Sequence, residues 1–306
     1  MGIGRSAAHL NNPLTPTGSR TATVSTPRRP PYVAAGHHTP SERPMSLTLD
    51  ACFRRAVGLH HTRSEDAAGI DRKRALLVVA DGLGGCPAGD VASHLAVRSV
   101  LGDLASPPAL WERDPGERMA QAVSRTHRAL LDAERRPPGQ PGMGTTLTIL
   151  ALDLEVGRAV VGHVGDSRAY LLRDGRLTLL TTDHTQVAAW VRAGRLSAEA
   201  ARTHPWRNAL TRSLGAGDVD PPACDVRLID VRAGDRFLLC TDGLWEPLSD
   251  DAMAQVLAGA ARARRAAEAL VGRARRTGPR DDATAVVGFV SPAVPDPALT
   301  VFRRGA

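Results

Sequence analysis

Lysine is almost missing from this 306-residue sequence: Lys73 is the only one, so nearly every cation is an arginine. Aromatic residues are scarce too, with four Phe, four Trp and two Tyr, and a core must be built mainly from aliphatic side chains. The four cysteines, Cys52, Cys86, Cys224 and Cys240, contain no closely spaced pair. That excludes a paired-cysteine zinc or redox motif and fits thiols kept reduced in a cytosol. Cys240 follows three apolar residues and reads as a small core residue. No stretch approaches the ~18 continuous apolar residues of a spanning helix, and no apolar signal core opens the chain. The expectation is a cytoplasmic protein without a membrane span.

The formal charge of +7 does not mark a nucleic-acid footprint. Residues 1–49 hold five arginines against Glu42, and Arg303 and Arg304 stand at the other end, which leaves about +1 on residues 50–302. No nucleic-acid partner is expected. At 42% hydrophobic and 23% charged residues, the composition is that of an ordinary globular chain.

Residues 1–44 carry seven of the 22 prolines and show no hydrophobic period. They read as a disordered N-terminal extension, either Arg-rich like a transit peptide or ahead of a true start at Met45. One domain is expected over 50–292, with a flexible tail at 293–306. "RALLVVA" (74–80) is a continuous apolar run, hence a buried strand. Residues 88–104 and 115–135 follow as helices, the second opened by Asp114-Pro115 as N-cap and first helical residue. Strands are expected at 145–154 and 158–182, with a hairpin at Asp174-Gly175. A helical, irregular stretch (184–214), strands at 224–231 and 235–242, two helices within 249–277 and a closing strand at 283–290 complete the order. Runs of strands separated by helix pairs predict an α+β fold: a four-layer α-β-β-α sandwich of two antiparallel sheets flanked by helix pairs.

Acidic residues recur where these strands end. "VVADGL" (78–83) has a near twin in "LCTDGL" (239–244), Asp166 sits in "HVGDSR", Asp281-Asp282 precedes the last strand, and Glu65-Asp66 precedes the first. One such acid is readily a turn or cap residue. Five clusters at one end of a sandwich would repel one another unless cations neutralise them. Oxygen donors without His or Cys suit Mg²⁺ or Mn²⁺. A phosphate-cradling loop is a poorer reading of "GLGGCPAG", which lacks both the Gly-Lys-Ser/Thr ending and the G-x-G-x-x-G spacing.

The segments "SEDA" (64–67), "VVADGLGG" (78–85), "GTTLT" (144–148), "HVGDSRAYLLRDGRL" (163–177), "TTDHTQV" (181–187), "HPWRNALTRSLGA" (204–216), "LLCTDGLWE" (238–246) and "DDATAVV" (281–287) occur in one order along the chain. In that order they resemble the metal-dependent protein serine/threonine phosphatases of type 2C, in their short bacterial form. The resemblance implies two Mn²⁺ or Mg²⁺ ions and a third, weaker site. Asp81 would bridge both ions with help from the Gly82 carbonyl. Asp242 and Asp281 would complete the first ion. Glu65 would belong to the second, with Asp66 ordering its waters, and Asp166 with Asp242 would serve the third. It further implies attack by a metal-bridging water on phosphoserine or phosphothreonine, with phosphorylated proteins, Ser/Thr kinases and their substrates as partners.

Several positions depart from the family pattern. His61 stands where many members carry a phosphate-gripping Arg, and either His61 or nearby Arg63 takes that contact. Ser64 and Asp282 each stand where Asn is usual. These departures keep a second reading open: a catalytically weak or inactive phosphatase-fold regulator that binds a partner through the flap. That flap, residues 183–216, presents Arg192, Arg195 and Arg207, either to protein substrates or simply to solvent.

Overall fold

The computed structural model describes residues 46–58, 62–106, 109–278 and 281–293. The expected N-terminal extension, His61 and all but Ala293 of the expected tail lie outside these residues. Three strands come first, β1 (Leu47–Ala56), β2 (Asp66–Asp71) and β3 (Leu76–Asp81), then helices α1 (Gly89–Ala105) and α2 (Pro115–Ala133). Five strands follow: β4 (Gly144–Thr145), β5 (Leu147–Asp153), β6 (Arg158–Val164), β7 (Arg168–Arg173) and β8 (Arg176–Leu179). Short helices α3 (Gln186–Arg192) and α4 (Ala198–Thr203) lead into β9 (Leu214–Gly215), β10 (Asp225–Asp230) and β11 (Arg236–Cys240). The chain ends through α5 (Asp242–Trp245), α6 (Asp250–Gly259), α7 (Ala263–Arg276) and β12 (Ala283–Pro292).

Two five-stranded antiparallel sheets result, in the orders β1-β12-β11-β7-β8 and β10-β6-β5-β3-β2, and β4 pairs with β9 beside them. Side chains alternate across each strand, so both faces of each sheet need cover. Leu77 and Val79 of β3 point between the sheets, against Phe237, Leu239 and Val286. Leu76, Val78 and Ala80 point the other way, against Ala96 and Val100 of α1 and Met119 of α2. On the second sheet, Leu238, Cys240 and Val287 pack against Leu257 of α6 and Leu270 of α7. Burial on both faces is why the apolar run of β3 shows no polar alternation. The expected four layers are present.

Local chemistry sets the boundaries. The Asp114 carboxylate accepts the Gly116 and Glu117 amides at 2.8 and 3.4 Å and caps α2 behind Pro115. Asp174 and Gly175 both take positive φ, 52° and 77°, as a tight two-residue hairpin requires. Besides the two-residue β9, which closes the stretch expected to be helical and irregular, two strands lie outside the expected set. β1 is an edge strand whose Asp50, Arg54 and Arg55 interrupt its apolar pattern, as sheet edges commonly do. β2 begins at Asp66 itself, so Glu65-Asp66 does not simply precede β3: Asp66 sits directly opposite Asp81 in the β2–β3 register. No helix among the described residues is long and apolar enough to cross a membrane.

Phe237 has no exposed surface and is the largest apolar side chain between the sheets. Phe237→Ala should destabilise the fold by about 3–5 kcal/mol in urea unfolding. A loss below about 1 kcal/mol would show that the inter-sheet layer does not carry the fold.

Candidate metal centre

Asp81 ends β3, and its backbone is braced on both sides. Its amide donates to Thr146 Oγ1 at 3.0 Å, and its carbonyl accepts the Thr146 amide and the Thr145 hydroxyl, each at 2.8 Å. Gly82 donates to the Glu65 carbonyl at 3.1 Å. A Cβ on Gly82 would meet the Gly89 carbonyl and lie 2.9 Å from the Glu65 carbonyl oxygen. Only glycine lets the turn after Asp81 press against the start of α1. Gly89 makes room in turn for the Glu65 carboxyl, whose carbon would lie 3.3 Å from a Cβ there. An acid beside a helix N-terminus is well placed.

Asp66 is fully buried. Its Oδ2 accepts the Thr241 and Thr284 hydroxyls at 2.8 and 2.6 Å, while Oδ1 is buried with no hydrogen-bond partner. Asp242 is the first residue of α5 rather than the end of a strand, and its Oδ1 is likewise buried and unpartnered. Asp81 and Asp242 each keep one partly exposed side, whereas Asp166 is only 7% exposed. Asp281 is exposed and accepts the Asp282 amide at 2.8 Å.

These five aspartates feel one another. Burial, then the charges of Asp66, Asp242, Asp166 and Asp281, hold the Asp81 carboxyl well above the usual range. Asp242 is raised by burial and by Asp166, Asp281, Glu246 and Asp66. Burial is also the largest influence on Asp66, which is pushed up to about 7 although two hydroxyls oppose the rise. Asp166 is pushed up to about 7 by burial and by Asp183. The structure thus brings together Asp66, Asp81, Asp166, Asp242 and Asp281, with Glu65 alongside.

Among the described residues, no three His, Cys, Asp or Glu side chains form a finished cage for an ion. Mg²⁺-like ions use few carboxylates and retain several waters, so an open cluster with two orphaned carboxylate oxygens suits them. The donor set is oxygen-rich, matching the same ions.

The flap arginines stand apart from the acids. Arg192 reaches the Asp183 carbonyl at 3.3 Å, Arg207 pairs with Glu246 at 3.6 Å, and Arg195 is exposed. The Arg207 pair ties the flap to the residue just after α5, the helix that Asp242 opens. Arg63 is exposed two residues before Glu65. Arg168 grips Asp183 at 2.7 Å and lies 3.5 Å over the Trp245 ring, whose indole N–H donates to the Asp166 carbonyl at 3.1 Å.

Asp282 has a role that sequence alone did not reveal. Its two oxygens accept the Gly58 amide at 2.7 Å and the Glu65 amide at 2.6 Å. A carboxylate can take two donors where an amide would turn its NH₂ toward one of them. The hydroxyls on Asp66 were also missed, although Thr241 and Thr284 lie next to "TDG" and "DDAT" and could have been suspected.

Two predictions follow from these contacts. Asp282→Asn should cost about 1–3 kcal/mol of stability in denaturant unfolding, because one amide donor then faces another donor; an unchanged midpoint would contradict the clamp. A carboxyl raised from 3.8 to about 7, as in Asp66 and Asp166, binds its proton more tightly in the folded chain than in the unfolded one. The metal-free protein should therefore lose stability as pH rises from about 4 to about 7, the contribution of these groups being largest below that window. Thermal melts in chelator across this range check the sign.

The family model for protein phosphatase 2C matches residues 60–276. The chain is 36% identical to the serine/threonine protein phosphatase PstP of Mycobacterium tuberculosis over 250 residues, covering 80% of this chain and 46% of that protein. It thus spans less than half of that relative's length. It is 32% identical to the serine/threonine phosphatase stp of Listeria innocua, covering 78% of this chain and 95% of that one. Among solved structures, the catalytic domain of PstP in complex with two manganese ions superposes with a TM-score of 0.69 at 35% identity, covering 80% of this chain and 99% of that one. The matched region holds every acid of the cluster except Asp281, and the chain belongs to the protein phosphatase 2C family.

Proposed function

We propose that this chain is a metal-dependent protein serine/threonine phosphatase that hydrolyses phosphoserine and phosphothreonine in proteins and opposes Ser/Thr kinases in the cytoplasm. The observation that carries this reading is the pair of buried, unpartnered carboxylate oxygens, Asp66 Oδ1 and Asp242 Oδ1, in a cluster of mutually repelling acids. Residues 50–292 act as the catalytic domain.

Asp81 would serve two Mn²⁺ or Mg²⁺ ions, and the Gly82 carbonyl would assist one of them. Asp242 and Asp281 would complete one, Glu65 the other, and Asp166 with Asp242 would hold a weaker third. When bound, such ions supply Lewis-acid stabilisation of the phosphoryl oxygens and lower the pKa of water. Asp66, with Oδ2 engaged by two hydroxyls, keeps Oδ1 to orient water. The Asp282 clamp holds the Glu65 backbone in place. Arg63 offers a guanidinium to the phosphate, for which a planar fork is suited. His61, the other candidate for that contact, lies outside the described residues.

The non-catalytic reading drew on His61, Ser64 and Asp282. Asp282 now has a structural role on two backbone amides, and each acid proposed as a ligand is present.

The purified chain should hydrolyse p-nitrophenyl phosphate and a phosphothreonine peptide with Mn²⁺ and stop in chelator. Asp81→Asn and Asp242→Asn should each cost on the order of a hundredfold or more in rate, since a lost metal position removes several kcal/mol of transition-state stabilisation. Full activity in chelator would overturn the mechanism. Wild-type rates in either variant would overturn the ligand assignment.

A further inference from the structure

A second feature, made of arginines rather than acids, lies along one side of the sandwich. Two adjoining cavities of about 310 and 360 Å³ share Cys52 and Arg72 in their walls. The first is also lined by Arg54 and Arg55 of β1, the second by Arg262, Arg264 and Arg265 at the start of α7. β1 and β2 are each the free edge of their sheet here. Six arginines therefore line the two adjoining cavities.

Carboxylates do not balance them. Glu268 alone serves Arg54 at 3.0 Å, Arg264 at 2.8 Å and Arg265 at 3.6 Å, and Asp50 takes Arg262 at 3.0 Å. Arg72 donates to the Ala51 carbonyl and Arg55 to the Asp66 carbonyl, each at 2.9 Å. Neither pairs with a carboxylate among the described residues.

The start of α7 carries a second, independent sign. A helix N-terminus is the positive end of its dipole and favours acids. α7 has no acid in its first turn and no capping side chain of its own, and it places Arg262 at the cap. Arg264 and Arg265 follow within that turn. Asp50 of β1 offsets part of this by accepting the Ala263 amide at 3.0 Å. The remaining positive potential, with several guanidinium forks beside it, is the chemistry that holds phosphate.

We propose that this groove docks a second phosphoryl group of a phosphorylated polypeptide whose first phosphoryl group lies at the acid cluster. The proposal rests on the phosphatase reading. An extended peptide fits the shape: the arginines follow β1 from Asp50 to Arg55, about 17 Å at strand spacing. The end of the groove at Arg55 lies toward the acid site, since Arg55 donates to the backbone carbonyl of Asp66. The substrates selected are multiply phosphorylated segments.

Arg264→Glu/Arg265→Glu is the discriminating variant. Both side chains are largely exposed, at 69% and 79%, so the loss of their Glu268 pairs, set against acids at a helix start, should shift the melting temperature only a little. Binding is read by fluorescence anisotropy in chelator at low salt, using a phosphothreonine peptide with a phosphoserine a few residues away. Wild type should bind it at least about tenfold more tightly than the variant, and the peptide lacking phosphoserine should bind both alike. Arg72→Gln should weaken binding in the same direction. With Mn²⁺, the double variant should raise KM for the doubly phosphorylated peptide, leave kcat, and leave p-nitrophenyl phosphate hydrolysis unchanged. Equal binding by wild type and variant overturns the groove. Tripolyphosphate competing as tightly as the peptide overturns the polypeptide assignment in favour of a free polyanion. Charge-dependent peptide binding without any hydrolysis by wild type would sink the phosphatase reading while supporting the groove.

Discussion

Asp66 and Asp81 stand opposite each other on neighbouring strands, and Asp242 approaches from the other sheet. Ionised carboxylates in such a place repel, and shedding water costs each of them several kcal/mol. Everything around the cluster is arranged to hold it together in spite of that repulsion. The Thr145 and Thr146 contacts brace Asp81, the Thr241 and Thr284 hydroxyls occupy one side of Asp66, and Asp282 anchors the Glu65 backbone. What stays unsatisfied is one oxygen each on Asp66 and Asp242. A divalent cation resolves both the repulsion and the missing partners, so a cost in folding becomes a driving force for binding.

Rigidity for this arrangement comes from the four layers. Asp81 is the last residue of a strand buried on both faces, and Asp242 follows closely on β11, whose Leu238 and Leu239 face opposite layers. Small changes at these positions cannot be absorbed by slack, because interiors are close-packed. The flap is different. Its helices α3 and α4 are short, and its arginines are exposed, meeting the body through single contacts such as Arg207 with Glu246. The geometry of the acid cluster is held by the sandwich, while the surfaces that we propose to meet a polypeptide lie on the flap and along the β1 edge.

The acid positions were legible because strand ends are legible: an apolar run that stops at Asp-Gly can be read from the chain alone. The hairpin at Asp174-Gly175 and the Asp114-Pro115 cap were equally visible, each being a local conformational preference. β1 is hard to read from the chain because its edge position lets charged residues interrupt the apolar pattern. The apolar run into Asp242 reads as a strand end, but Asp242 opens a helix, because the turn that follows Cys240 depends on contacts with Thr284 and Asp282.

The sequence by itself determined the fold class, the order of elements and the identity of the acids, because hydrophobic period, turn chemistry and motif order are local properties. Only the tertiary structure decided which acids oppose each other, which oxygens remain without partners and what Asp282 does. Those depend on strand register and on contacts between residues more than two hundred positions apart, such as Glu65 with Asp282. The arginine groove belongs to the same class. Arg72 and Arg265 are unremarkable along the chain and share a wall only because β1 brings the end of β2 and the start of α7 together.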